Sequence, residues 1–178
     1  AQKSQRANLR SETAALIALE VMQPKLPAAE ELVKNYLRDN VKAMPEVRMG
    51  YARSLLDAQR YAEATVQLQI VIREKPDFAP AWLVLGSLQL QDNQLAPAQA
   101  SLERYLSLVQ TPGAEDESSR GLAQAYVSLA QIAEKRKDFA GAEAWIAKIE
   151  SPEELLMVQA RRASLLASQG KLAEGRQL

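Results

Sequence analysis

Apolar residues in this chain recur three and four positions apart, in short runs broken by turn-forming residues, which is the spacing of amphipathic helices. Between Pro45 and Gln110 the pattern occurs twice. Ala52, Tyr61, Ala64, Leu68 and Val71 return as Gly86, Leu95, Ala98, Leu102 and Tyr105, each 34 positions later. A fixed period of about 34 residues, with small side chains at set places among large apolar ones, predicts stacked helix–turn–helix units. Period-2 alternation flanked by hairpin turns is absent, so strands gain no support.

The same register extends in both directions. Leu26, Ala29, Val33 and Tyr36 stand 35 positions before Tyr61, Ala64, Leu68 and Val71, which predicts a first hairpin over residues 9–40. Its first helix carries Ala14, Leu16, Ile17 and Val21 and ends before Pro24. The second and third hairpins span 45–76 and 79–110. Residues 111–120 are polar, acidic and rich in turn formers, and read as a loop. Phe139, Ala142, Ile146 and Ile149 then follow Leu95, Ala98, Leu102 and Tyr105 by 44 positions, so the fourth hairpin covers 121–150. A fifth, 152–178, opens on Ser151-Pro152-Glu153-Glu154, an N-cap, a first-turn proline and acids suited to the helix dipole. Its second helix is truncated at Leu178, and the whole reads as one array. All eight prolines fall in a turn or a first helical turn, avoiding a penalty of about 3 kcal/mol each.

Ala52, Gly86 and Ala130 on the first helices, and Ala64, Ala98 and Ala142 on the second, are expected where helices approach closely. Tyr61, Leu95, Phe139 and Leu172 are expected to fill the space by each turn. No hairpin of this kind buries its apolar face alone, so stability comes from stacking.

The third hairpin reads Pro80-Ala81-Trp82-Leu83-Val84-Leu85-Gly86, then Leu95-Ala96-Pro97-Ala98, then Leu102 and Tyr105. It resembles the tetratricopeptide repeat (TPR), and the resemblance covers about residues 9–178. It departs from that pattern at Gln89, where an aromatic is usual, at Tyr105, where a small residue is usual, and in a closing proline displaced to Pro112. The resemblance implies an all-α, right-handed α-solenoid (superhelix) acting as a noncatalytic protein-interaction scaffold. In such arrays the first helix of each hairpin lines the concave groove. By register that places Met49, Arg53, Leu56, Leu83, Ser87, Leu90, Val127 and Gln131 on a surface for a peptide or a partner helix. The Lys and Asn of TPR domains that clamp a C-terminal carboxylate are missing, with Met49, Arg53 and Val84 in those places, so that subclass is not expected. Two other readings remain: a regulatory or substrate-presenting module of a larger enzyme, and a structural homo-oligomer.

Composition removes chemistry more than it adds any. The 178 residues include no Cys and no His, which excludes thiolate and imidazole metal ligands and the triads built on them, and no cofactor is expected. Basic and acidic residues balance at 22 each, so no net field points to nucleic acid. No apolar run approaches the roughly 18 residues of a membrane span, so direct membrane insertion is not expected. Absence of Cys suits cytoplasm and periplasm alike; the Ala- and Gln-rich style reads as bacterial, with a lean to the periplasm. Glu115-Asp116-Glu117 lacks the spacing of a calcium loop and reads as a solvated acidic loop. Lys135-Arg136-Lys137 lies at a helix C-terminus, where cations complement the dipole, and Arg161-Arg162 is read the same way. Glu30-Glu31 and Glu153-Glu154 sit in first helical turns, which assigns them to capping rather than acid–base chemistry. Trp82 and Trp145 read as packing residues. An open apolar edge at Leu172 is expected to favour self-association.

Overall fold

The computed structural model describes residues 27–39, 44–109, 118–149 and 155–168. Eight helices occupy them, in the order α1 (Pro27–Asp39), α2 (Pro45–Asp57), α3 (Tyr61–Glu74), α4 (Ala79–Gln91), α5 (Leu95–Val109), α6 (Ser118–Lys135), α7 (Phe139–Ile146) and α8 (Leu155–Ser168). No strand occurs among the described residues. The expected first helix before Pro24, the acidic run 115–117 and the last turn at Gly170–Leu172 lie outside them. The chain divides into two compact units, with the boundary between Ala81 and Trp82 inside α4.

In the first unit, α2 and α3 pair as a hairpin, and α1 packs on α2. Val33, Tyr36 and Leu37 meet Val47, Tyr51, Leu55 and Ala64 in one buried cluster, with Leu56 against its edge. Pro45 opens α2 at a position where its missing N–H costs nothing. Along α3 the buried stripe is Ala64, Leu68 and Val71. Tyr61, expected to fill space by the turn, is 43% exposed. It is the first residue of α3, and the stripe closes over only one turn later, at Ala64.

In the second unit, α4 pairs with α5 and α6 with α7. Small residues stand where the helices approach. A Cβ added to Gly86 would lie 2.8 Å from Leu102 Cγ and 3.3 Å from the carbonyl oxygen of Ala98. A Cβ on Gly121 would collide with the hydroxyl of Tyr105. That contact accounts for the unusual large residue at 105: the bulk added on α5 is accommodated by the missing side chain on α6. Ala130, Ala133, Ala142, Ile146 and Leu165 form a second buried cluster, with Val127, Phe139, Trp145 and Ile149 packed on it. Tyr126 stacks on Trp145 with centroids 6.0 Å apart, and Lys148 Nζ lies 4.8 Å above that ring.

Two boundaries differ from the sequence reading. α6 begins at Ser118, inside the stretch expected to be loop. α7 ends at Ile146, so Ile149, expected on that helix, lies beyond it while still covering the cluster.

The three turns share one geometry. Gln59, Asn93 and Lys137 take φ of 58°, 60° and 62°. The N–H of Gln59 donates to Leu56 O at 2.8 Å and that of Arg60 to Leu55 O at 2.8 Å. Asn93 and Gln94 repeat this onto Leu90 and Gln89, as do Lys137 and Asp138 onto Glu134 and Ala133. This is the Schellman closure, which satisfies helix-end carbonyls through one left-handed residue. After the third turn, Asp138 Oδ1 also accepts from the N–H of Gly141 at 2.9 Å and caps α7.

Candidate functional site

Within the second unit the first helices of two successive hairpins, α4 and α6, lie side by side. Gln124 Nε2 donates to Ser87 Oγ at 3.2 Å, while Ser87 Oγ donates to the carbonyl of Leu83 at 3.0 Å. A Cβ at Gly121 would fall 3.6 Å from Leu83 Cδ2, and Lys135 Nζ donates to Asn93 Oδ1 at 3.1 Å. These contacts pair 83 with 121, 87 with 124 and 93 with 135, so the two helices run in the same direction. Leu83, Ser87, Val127 and Gln131 are half-buried, and Gln124 beside them is exposed. The structure therefore brings together four expected surface positions. Leu90 is 8% exposed and belongs to the interior.

In the first unit, α2 carries the other three. Arg53 is exposed and Leu56 is half-buried, whereas Met49 is 3% exposed and packs inward. Met49 and Leu90 thus contribute packing rather than surface, because each lies on the side of its helix turned toward its neighbours.

The main electrostatic feature of the first unit is centred on Glu30. Its Oε1 accepts from Tyr51 Oη at 2.9 Å and from Arg60 Nη1 at 2.7 Å, and lies 2.9 Å from Lys34 Nζ. Burial pushes the Glu30 carboxyl upward, but the hydrogen bonds from Lys34, Arg60 and Tyr51 outweigh it and hold the carboxyl down at about 2. Burial, then the Glu30 carboxylate, raises the Tyr51 hydroxyl. Arg60 holds Glu63 through two bonds, Nε to Oε1 at 2.7 Å and Nη2 to Oε2 at 2.6 Å, and lowers its carboxyl. Glu30 therefore joins α1 to α2 and α3, a role that helix capping does not describe. Nothing in its local sequence signals this, since its partners lie 21 and 30 positions away. Gln124 was detectable: it precedes Val127 by three positions and Gln131 by seven, on the same helical face.

The basic run 135–137 is engaged locally. Lys135 bonds Asn93, Arg136 Nη1 donates to Gln99 Oε1, and Lys137 supplies the left-handed turn residue. Arg161 pairs with Glu134. Among the described residues no group of three Asp or Glu is placed to hold a metal ion, and no helix is long and apolar enough to cross a membrane.

No protein-family model matches the chain, and no curated protein matches it in sequence. Solved structures do match its backbone. The MamA RS-1 double mutant superposes with a TM-score of 0.75 at 15% identity, over 96% of this chain and 89% of that one. A Podosopora anserina chain of nearly identical TPR-like repeats gives 0.69 at 16% identity, over 94% and 89%. Pseudomonas aeruginosa PilF gives 0.64 at 19% identity, over 93% and 71%. The repeated helical hairpins, their shared left-handed turns and these likenesses agree that the chain has the all-α fold of the TPR-like repeats.

Proposed function

We propose that this chain is a noncatalytic protein-interaction scaffold that receives a peptide or helix of a partner protein on the faces of its first helices. The observation that carries this reading is the alignment of α4 with α6. Ser87 and Gln124 meet there, and Leu83, Val127 and Gln131 stand partly open beside them. Apolar side chains give such a face contact area, and the interspersed Ser and Gln supply hydrogen bonds that fix register. Arg53 and Leu56 offer the same mixture on α2 of the first unit. Helices with parallel neighbours suit an extended or helical segment better than a small metabolite, since single positions repeat at each hairpin.

The test compares the unaltered chain with the double variant Arg53→Glu/Gln131→Glu in affinity capture from extract, with far-ultraviolet circular dichroism to establish folding. Both positions have solvent access, so the variant is expected to keep its helicity. A partner retained by the unaltered chain and reduced about tenfold by the folded variant supports the reading. Equal capture by both, or pairing of the chain only with itself, refutes it.

A further inference from the structure

The first unit holds a cleft of about 410 Å³ formed by α1, α2 and α3. It lies away from the face just described. On α2 the cleft takes Arg48, Tyr51 and Leu55, while the proposed partner face takes Arg53 and Leu56, roughly 130° around a helix turning 100° per residue. The cleft floor is apolar and closed, built from Leu37, Tyr51 and Leu55, all buried. On its rim stands Val66, 52% exposed, an apolar side chain with solvent where a packing partner would be.

Three cations line this space: Lys34, Arg38 and Arg48. Arg48 is the unusual one. The residue is 8% exposed, its Nη1 donates to Gln67 Oε1 at 3.1 Å, and its Nε is buried with no hydrogen-bond partner. The carboxylate beside it, Glu74, stands 3.9 Å from that Nε, beyond hydrogen-bonding reach. A buried guanidinium N–H without an acceptor is costly, and an arriving acceptor recovers that cost. The other carboxylate charges around the cleft are already engaged. Glu63 is held at two points by Arg60, and Glu30 by Lys34, Tyr51 and Arg60. Arg38 and Asp39 form an exposed pair at 3.3 Å, of the kind that contributes little.

We propose that this cleft docks a carboxylate side chain carried beside a large apolar residue on a segment of a partner protein. The carboxylate accepts from Arg48 Nε, and Lys34 and Arg38 supply the outer positive charge. The neighbouring apolar side chain covers Val66 and completes the contact area that the cleft leaves open. A singly charged carboxylate fits better than a phosphate, because Glu63 and Glu74 stand close enough to oppose a second negative charge. This inference does not depend on the α4–α6 face, and it concerns a different surface.

The test is a methyl-resolved NMR titration of the full chain with two probes, acetyl-Leu-Glu-Leu-amide and its glutamine counterpart acetyl-Leu-Gln-Leu-amide. The glutamate peptide is expected to shift the methyls of Leu37, Leu55 and Val66 and to bind about tenfold more tightly than the glutamine peptide. Arg48→Met should erase that difference. Because Arg48 is buried and its loss bears on folding, the exposed pair Lys34→Ala/Arg38→Ala serves as a second variant, expected to weaken the glutamate peptide severalfold and flatten its salt dependence. Several outcomes overturn the proposal: equal binding of the two peptides, absence of shifts at these methyls, or shifts confined to Leu83 and Val127. Inorganic phosphate displacing the glutamate peptide overturns the assignment to a carboxylate. Cleft shifts that grow with protein concentration alone overturn it in favour of a second copy of the chain.

Discussion

Gly86 has no side chain because the space beside it belongs to Leu102. An added Cβ would stand 2.8 Å from Leu102 Cγ, a branch point that cannot swing aside as a side-chain tip can. It would also press on the Ala98 carbonyl at 3.3 Å, which the backbone of α5 holds in place. Alanine is favoured over glycine in a helix by about 1 kcal/mol, and a β-branched residue forfeits part of that while adding volume. Gly86→Val is therefore expected to destabilise the chain by about 1–3 kcal/mol in urea unfolding, since overpacking outweighs propensity. A neutral or stabilising result would show that α4 and α5 separate more easily than their contact implies. The pairing of Tyr105 with Gly121 follows the same logic with the sizes exchanged. The sequence displays the large residue as a departure from the repeat pattern, and only the contact reveals its small partner.

At the scale of the element, each hairpin turn closes through one left-handed residue, and three different side chains fill that place. Asn tolerates a positive φ better than most residues, whereas Gln59 and Lys137 carry the full Cβ penalty of about 1–2 kcal/mol. Gln59→Gly is thus expected to raise stability by about 0.5–1 kcal/mol once the extra freedom of glycine in the unfolded chain is subtracted. Asn93→Gly is expected to gain less. Thermal unfolding of the two variants side by side checks the order, and an equal or reversed gain would mean that side-chain contacts at position 59 outweigh its backbone strain.

These turns also explain which elements were legible. α2 to α5 follow from spacing because helices, turns and first-turn prolines are local and repeat at 34 positions. The start of α6 was missed because Ser118-Ser119-Arg120-Gly121 resembles a loop when read alone. Gly121 is there for Tyr105, and the polar residues before it form a helical first turn. Of the expected surface positions, Leu83, Ser87, Val127 and Gln131 stand together on α4 and α6, while Met49 and Leu90 face inward. Register predicts which residues share a helical face, but not how far the next helix covers that face.

At the scale of the whole molecule, charge is distributed unevenly despite a formal net charge of zero. Among the described residues, every group with a displaced pKa lies between Glu30 and Glu63, in the first unit. The Glu30 carboxyl is depressed from 4.5 to about 2, and the Glu63 carboxyl is also depressed. A carboxyl depressed by folding stabilises the folded state above its unfolded pKa, and that contribution is lost as pH falls toward the folded value. Acid should therefore loosen the first unit between about pH 4.5 and pH 2, ahead of any loss in the second. Tyr51 works in the opposite direction: its pKa is raised, so its contribution is complete below the ordinary phenol value and is lost only in strong alkali. Amide hydrogen exchange at about pH 5 and about pH 3, corrected for intrinsic rates, distinguishes the two units directly. Protection in α2 and α3 is expected to fall more than protection in α6 and α7. Glu30→Gln should start with lower protection in the first unit and lose less of it on acidification, because Gln retains the shape but has no charge to lose. Equal loss in both units, or an unchanged acid response in Glu30→Gln, would remove Glu30 from its place as the ionic tie among α1, α2 and α3.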